Sequence, residues 1–450
     1  MSSESEHAYD PLNPLHRAVV RKVALRLIPM LGMMYSLAYL DRINIGSAAL
    51  TMNKDLQIDA TTFGFASSMF LAGYFFLEIP SNLALVKFGA RVWLTRIMLT
   101  WGILSSLTGF IQNGQQLVIA RVLLGIAEAG FFPGMVLYLA LWFPKEVRAR
   151  MFFCTTLPLA IIFGAPMSTA IIQYTDGWFG LAGWRNMYIA EGIPAILLSF
   201  FTWRYLTSKP EEATWLSEPE RKWLMSAIEV TSHTRHSLAE CVRIFFRDFR
   251  LTLYALAYGL LQLGFYAVLI FTPQVIANST KTFGQDLSVF QVGLLTSLPA
   301  LIGAMITFLW VRHSDITGER SWHAAIGSFI AAVGAVMAAY SGNVVMLLIG
   351  LTLLKGCMSC ALVPLWQLPT KGLATDAAGV VVAIVNSVGI FFSFISPIVV
   401  GWLKDHTGSY AAGLVFLAVT LVMACLCIVW AGRLSDPVDV SSVKEVAFEQ

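Results

Sequence analysis

Apolar residues run along this chain in blocks of about twenty, the length of a membrane-crossing helix, divided by short polar breaks. The runs predict spanning helices over 25–47, 62–86, 92–111, 117–142, 151–173 and 185–206. A second set is predicted over 250–276, 289–311, 323–341, 344–369, 379–402 and 411–432. At 1.5 Å per residue each comes close to the ~30 Å of a hydrocarbon core. The longest polar stretch separates the two sets and holds Glu211, Glu212, Glu218, Glu220, Arg221, Lys222, Arg235, Arg243 and Arg247. It reads as a cytoplasmic linker with a short amphipathic helix. The expected architecture is an all-α membrane protein of twelve transmembrane helices in two pseudo-symmetric six-helix halves. Its divisions are an N-terminal tail over 1–24, a half over 25–206, the linker over 207–248, a half over 249–433 and a C-terminal tail over 434–450.

Basic residues set the orientation. With the N-terminus inside, the cytoplasmic loops hold Arg17, Arg21, Lys22, Arg26, Lys87, Arg91, Lys145, Arg148, Arg150, Arg312, Arg320, Lys371 and the linker group. The other side holds only Lys54, Arg185, Lys281 and Lys404, a strong positive-inside bias that places both termini in the cytoplasm. Met1–Val20 lacks the basic-then-apolar pattern of a cleaved signal peptide, so the first helix is expected to drive insertion.

Composition sharpens this picture. Of the 450 residues 57% are hydrophobic and 13% charged, with a mean hydropathy of +0.70. A soluble domain carries about 25% charged residues, so an ordinary cytosolic enzyme, a disordered chain and a disulfide-stapled secreted protein are excluded. A net charge of +3, spread over loops, gives no nucleic-acid footprint. Five of the six cysteines (Cys154, Cys357, Cys360, Cys425 and Cys427; Cys241 is the sixth) fall in apolar segments and read as small core residues. The Cys357–Cys360 pair has no second ligand pair for zinc. There is no GxxxxGK[ST] loop for ATP, no His/Cys/Glu cluster and no TVGYG-like filter, so neither cofactor nor metal is expected.

The informative residues are ionisable groups at membrane depth, each costing roughly 2.5–3.5 kcal/mol at a helix centre. Asp41 and Arg42 are adjacent in the first helix, and Arg121 and Glu128 lie two turns apart on one face of the fourth. Two acids and two bases must pair or face a wet cavity. They could simply lock helices together. A carboxylate that alternates between paired and unpaired states, however, is what coupling proton movement to transport requires. Lys355 is the second feature: about eleven residues into the tenth helix it lies ~16 Å deep, with no acid beside it in that helix. Its counter-charge must come from another helix or from an anionic substrate. Tyr74, Tyr266, Trp366 and Asn386 are the best polar candidates at central depth. Tyr35, Tyr39, Tyr138, Gln262 and Gln367 follow, and Glu78 ranks below Glu128 because it falls near the inner mouth.

Several motifs carry a resemblance. They are Tyr39-Leu40-Asp41-Arg42-Ile43-Asn44-Ile45-Gly46, Gly73-Tyr74 with Glu78-Ile79-Pro80-Ser81-Asn82, Gly89-Ala90-Arg91, Glu128-Ala129-Gly130-Phe131-Phe132-Pro133-Gly134 and Gly183-Trp184-Arg185. In the second half they are His313-Ser314-Asp315, Gly318-Glu319-Arg320, Leu368-Pro369-Thr370 and Gly401-Trp402-Leu403-Lys404-Asp405. From about residue 20 to 432 the chain resembles the anion:cation symporter family of the major facilitator superfamily, and is most similar to bacterial carriers of tartrate, 4-hydroxyphenylacetate and phthalate-like acids.

The resemblance implies proton-driven symport of an organic carboxylate across the bacterial inner membrane by a functional monomer. It implies Asp41 and Glu128 as proton carriers, Arg42 on the substrate carboxylate and Arg121 paired with an acid. Tyr39, Tyr74 and Asn386 would line the cavity; depth in the helices, not the resemblance, adds Lys355, Tyr266 and Trp366 as further substrate contacts. Arg91 and Asp315 would act in the gating loops. Two departures stand out: Val86 replaces the family's loop aspartate before Lys87-Phe88-Gly89, and Lys355 replaces a small or neutral residue. A drug-efflux antiporter on the same fold is the alternative, against which Gly164-Ala165-Pro166 lacks the G-P-x-x-G-G pattern of such pumps. A channel, a membrane-embedded enzyme or a transport-dead sensor ranks lower.

Overall fold

The computed structural model describes residues 9–156, 159–229, 238–370 and 375–434. Residues 1–8, Arg235, Lys371 and the tail from 435 onward lie outside the described residues, as does the side chain of Cys241. In chain order the helices of the first half are α1 (Pro14–Asp55), α2 (Ala60–Phe88), α3 (Ala90–Thr108), α4 (Gly114–Glu128), α5 (Phe131–Trp142), α6 (Lys145–Thr155), α7 (Leu159–Tyr174) and α8 (Gly183–Tyr205). The linker carries α9 (Glu218–Glu229) and α10 (Leu238–Arg247). The second half holds α11 (Phe249–Thr282), α12 (Val289–Thr317), α13 (Ser321–Ala339), α14 (Val344–Leu365), α15 (Thr375–Thr407) and α16 (Ala411–Arg433).

Counting α4–α5 and α6–α7 as one span each, these are twelve spans in two sets of six, the all-α membrane architecture expected. Among the described residues, nine stretches are long and apolar enough to cross a membrane on those grounds alone. The other three spans are α3, α6–α7 and α8, which carry more polar residues, Arg96 and Glu191 among them.

Two compact units emerge: Met1–His233 with Leu287–Ser297, and Thr234–Asp286 with Leu298–Gln450. In the first, α3 packs along α8 and α2 along α4, while α1 touches α7 and α8. Its interior is built on Phe70, Trp101, Phe131 and Trp142, each almost wholly buried. In the second unit α11 packs with α15 and α16, and α13 with α14 and α16.

Three departures from the expected elements have physical causes. First, α1 begins at Pro14 rather than at residue 25, because Asn13 caps it by accepting from the Leu15 N–H and Pro14 is preset for a first helical turn. Its polar extension is invisible to an apolar-run reading but is well held. Val19, Val23 and Leu27 are fully buried, Lys22 Nζ pairs with Glu220 of α9 at 2.7 Å, and His16 stacks on Trp223. Second, the predicted 117–142 helix is broken. Gly130 sits at φ +81°, left-handed backbone that favours glycine, and a Cβ there would lie 2.4 Å from Ser81 Oγ. Third, α14 stops at Leu365 rather than at residue 369, leaving Trp366 in the turn beyond it and not inside the helix.

Close approach of α2 and α4 also depends on glycine. A Cβ on Gly125 would lie 2.1 Å from the Phe70 carbonyl oxygen, and one on Gly73 2.4 Å from that of Val122. This contact holds α4, which carries Arg121 and Glu128, close against α2.

Candidate functional site

The site of the first unit is assembled around α1, where Asp41, Arg42 and Asn44 lie within four consecutive residues. The α4 helix ends at Glu128, just before the Ala129–Gly130 break. Glu128 is fully buried, and its Oε1 accepts from Arg42 Nε at 2.8 Å and lies 2.5 Å from Arg42 Nη2. This two-nitrogen contact on one oxygen is the strong, charge-assisted kind. The Arg42 side chain is 24% exposed, so one face of the pair remains reachable. Its guanidinium lies 5.3 Å from the Tyr74 ring centroid and 5.7 Å from that of Phe70. Tyr39 stands against Tyr35 with ring centroids 5.7 Å apart, one turn before Arg42.

Asp41 points the other way. Ser105 Oγ of α3 donates to its Oδ1, and Asn44 Nδ2 donates to the same oxygen at 3.3 Å. Arg121 is 1% exposed and lies over the Phe70 ring at 4.8 Å. None of its three guanidinium nitrogens has a hydrogen-bond partner. Expected to pair with an acid, Arg121 makes no ion pair among the described residues; Arg42 holds Glu128 instead. Phe70 thus makes a cation–π contact with both guanidiniums.

One acid at this centre was missed in the apolar-run reading. Glu191 of α8 is 6% exposed, its Oε1 accepting from Ser168 Oγ of α7 at 2.6 Å and its Oε2 from Asn44 Nδ2 at 3.0 Å. The signal that could have found it is the one that found Glu128: a lone acid in an apolar run, Ile189-Ala190-Glu191-Gly192-Ile193.

In the second unit Lys355 is half-buried on α14, beside the tight α12–α14 crossing where the Cα of Gly303 and Gly356 approach. Its Nζ makes no ion pair with any described carboxylate. Tyr266 is buried on α11, Asn386 is half-buried on α15, and Trp366 packs on Tyr258 with centroids 4.8 Å apart. Of the gating candidates, Asp315 pairs with Arg320 at 2.7 Å, while Arg91 Nε donates to the Trp203 carbonyl at 2.6 Å and its guanidinium lies over the Trp203 ring.

Buried charges gathered inside a unit of apolar membrane-spanning helices are the mark of a membrane transporter rather than an enzyme. The chain belongs to the Major Facilitator Superfamily, whose family model matches residues 31–283 and 254–447. It is 42% identical over 414 residues to one of two Agrobacterium vitis proteins provisionally named tartrate transporters, covering 92% of this chain and 94% of that one. It is 34% identical to a quinolone resistance transporter of Acinetobacter baumannii, covering 91% of this chain and 93% of the relative. Among solved structures, a bacterial homologue of the human lysosomal transporter Spinster superposes with a TM-score of 0.76 at 15% identity, over 91% of this chain and 97% of that one. At that identity the likeness speaks for the fold.

Proposed function

We propose that this transporter is a proton-coupled symporter that imports an organic carboxylate, an aromatic or a hydroxy/dicarboxylic acid, across the bacterial inner membrane with both termini cytoplasmic. The observation that carries the reading is the Arg42–Glu128 pair. A substrate carboxylate and the Glu128 carboxylate compete for one guanidinium. Protonating Glu128 removes the competitor and frees Arg42 for the substrate, so proton and anion load together. Asp41, held by Ser105 and Asn44 rather than by a guanidinium, is the second proton carrier. Tyr74 lies against the Arg42 guanidinium, and Tyr39 stands one turn before Arg42 on α1. In the other unit Lys355 offers a cation for a second anionic group, with Tyr266, Trp366 and Asn386 as further contacts and Arg91 and Asp315 in the gating loops. The relatives provisionally named for tartrate, a hydroxy dicarboxylic acid, support this substrate class.

The test is uptake of labelled tartrate and 4-hydroxyphenylacetate into proteoliposomes. An inside-alkaline pH gradient should drive accumulation above the external concentration; uptake indifferent to the gradient refutes proton coupling. If Lys355 meets the substrate, Lys355→Ala should raise the apparent KM for a dicarboxylate about 10- to 30-fold, the ~1.5–2 kcal/mol of a charged hydrogen bond, at unchanged protein abundance. An unchanged KM would remove Lys355 from the site. The quinolone-resistance relative favours efflux as the second reading. Gradient-driven extrusion of a fluoroquinolone from loaded vesicles, without carboxylate uptake, would select it.

A further inference from the structure

The buried polar centre of the first unit does not balance its charges. Arg42 and Arg121 contribute two guanidiniums that stay protonated, while Asp41, Glu128 and Glu191 contribute three carboxyls. Glu78, on α2, is half-exposed and lies outside this buried set. Burying a net charge is costly, so one of the three carboxyls must hold a proton for the centre to be neutral. Glu128 is paired with Arg42, while Asp41, held by Ser105 and Asn44, lies within the field of Arg121 without a direct contact to it. Glu191 forms no ion pair among the described residues. What surrounds it is neutral: the Ser168 hydroxyl from α7, the Asn44 amide from α1, the Tyr188 phenol one turn back on α8, and Ser106 of α3 against Gly192. Its nearest acid, Asp41, is linked to it through Asn44, whose Nδ2 donates to both carboxyls.

We infer that Glu191 is a third proton-carrying residue of the transport cycle, joined to Asp41 by the Asn44 bridge. The inference rests on the symport reading above. Asn44 and Ser168 can serve either form of the acid: the serine hydroxyl donates to the carboxylate and accepts from the carboxylic acid, and the amide donates to whichever oxygen lacks the proton. Movement of α1 against α7 and α8 would break the Asp41–Asn44–Glu191 bridge, separating two acids that share a donor in this structure. Such a change in surroundings is what makes an acid take up or release a proton with conformation.

The experiment measures the proton count. In proteoliposomes with the membrane potential clamped at zero, each co-transported proton multiplies the tartrate accumulation ratio about tenfold per unit of pH gradient. E191Q, which imitates the protonated acid, should accumulate about tenfold less than wild type at a one-unit gradient while still catalysing tartrate counterflow. The infrared carbonyl band of a buried carboxylic acid should disappear from the purified variant. If E191Q does not reach the membrane, E191M, of similar volume and without a proton, is measured the same way. A variant that accumulates like wild type, or merely transports more slowly to the same final ratio, overturns the role of Glu191 and leaves it structural. A wild-type protein that does not accumulate tartrate under the gradient overturns the symport reading itself.

Discussion

Arg42→Ala should abolish carboxylate transport, lowering kcat/KM for tartrate uptake by roughly 30- to 5,000-fold, because truncating one member of a buried, hydrogen-bonded charge pair costs about 2–5 kcal/mol. The loss has two sources: the substrate loses its guanidinium, and the fully buried Glu128 carboxyl is left without the cation that held it at 2.8 Å. Arg42→Lys separates them. It keeps the charge, so Glu128 retains a partner and the protein should fold. It loses the planar fork that can grip two carboxylates in turn, so activity should return only in part. Uptake by the alanine variant within threefold of wild type would remove Arg42 from the substrate path.

Glu128→Gln should uncouple the transporter. The amide imitates the protonated acid, leaving Arg42 free for the substrate whatever the pH. Exchange of labelled for unlabelled tartrate should therefore persist within about tenfold of wild type. Concentrative uptake should fall about tenfold per unit of imposed pH gradient, the driving force of one proton. Loss of both activities would make the Arg42–Glu128 pair a structural lock, the bland reading of a buried ion pair. Retention of full accumulation would place the coupling proton elsewhere. Measured beside Glu191→Gln, the two variants count protons separately, since Glu128 is held by a guanidinium and Glu191 only by neutral donors.

The two outcomes bear on different halves of one exchange. In the proposed cycle Arg42 would decide whether an anion can be held and Glu128 when. Only Glu128 sits beside a break in its helix. Arg42 lies on a helix that runs unbroken past Pro29, and Glu128 ends α4 two residues before the left-handed Gly130. The end of a helix leaves backbone groups that interior residues lack, which suits a position that must exchange partners.

What the sequence determined by itself follows from the cost of polar groups in hydrocarbon. A run of about twenty apolar residues has few alternatives to spanning as a helix, so the twelve spans and the all-α class were legible along the chain. For the same reason Asp41, Arg42, Arg121, Glu128 and Lys355 stood out against an apolar background. The linear pattern could not reveal the α1 extension from Pro14 or the break at Ala129–Gly130, because the first is polar and the second is apolar throughout. Nor could it choose partners. Which acid meets which base depends on how close helices come, and that is set by contacts such as Gly125 against the Phe70 carbonyl. Only the tertiary structure gave Glu128 to Arg42, left Arg121 on the Phe70 ring, and brought Glu191 within reach of Asn44, whose residues lie 147 positions apart. Hydrophobicity is a property of each residue and can be read one position at a time. Charge pairing is a property of distance, and distance exists only once the helices are packed.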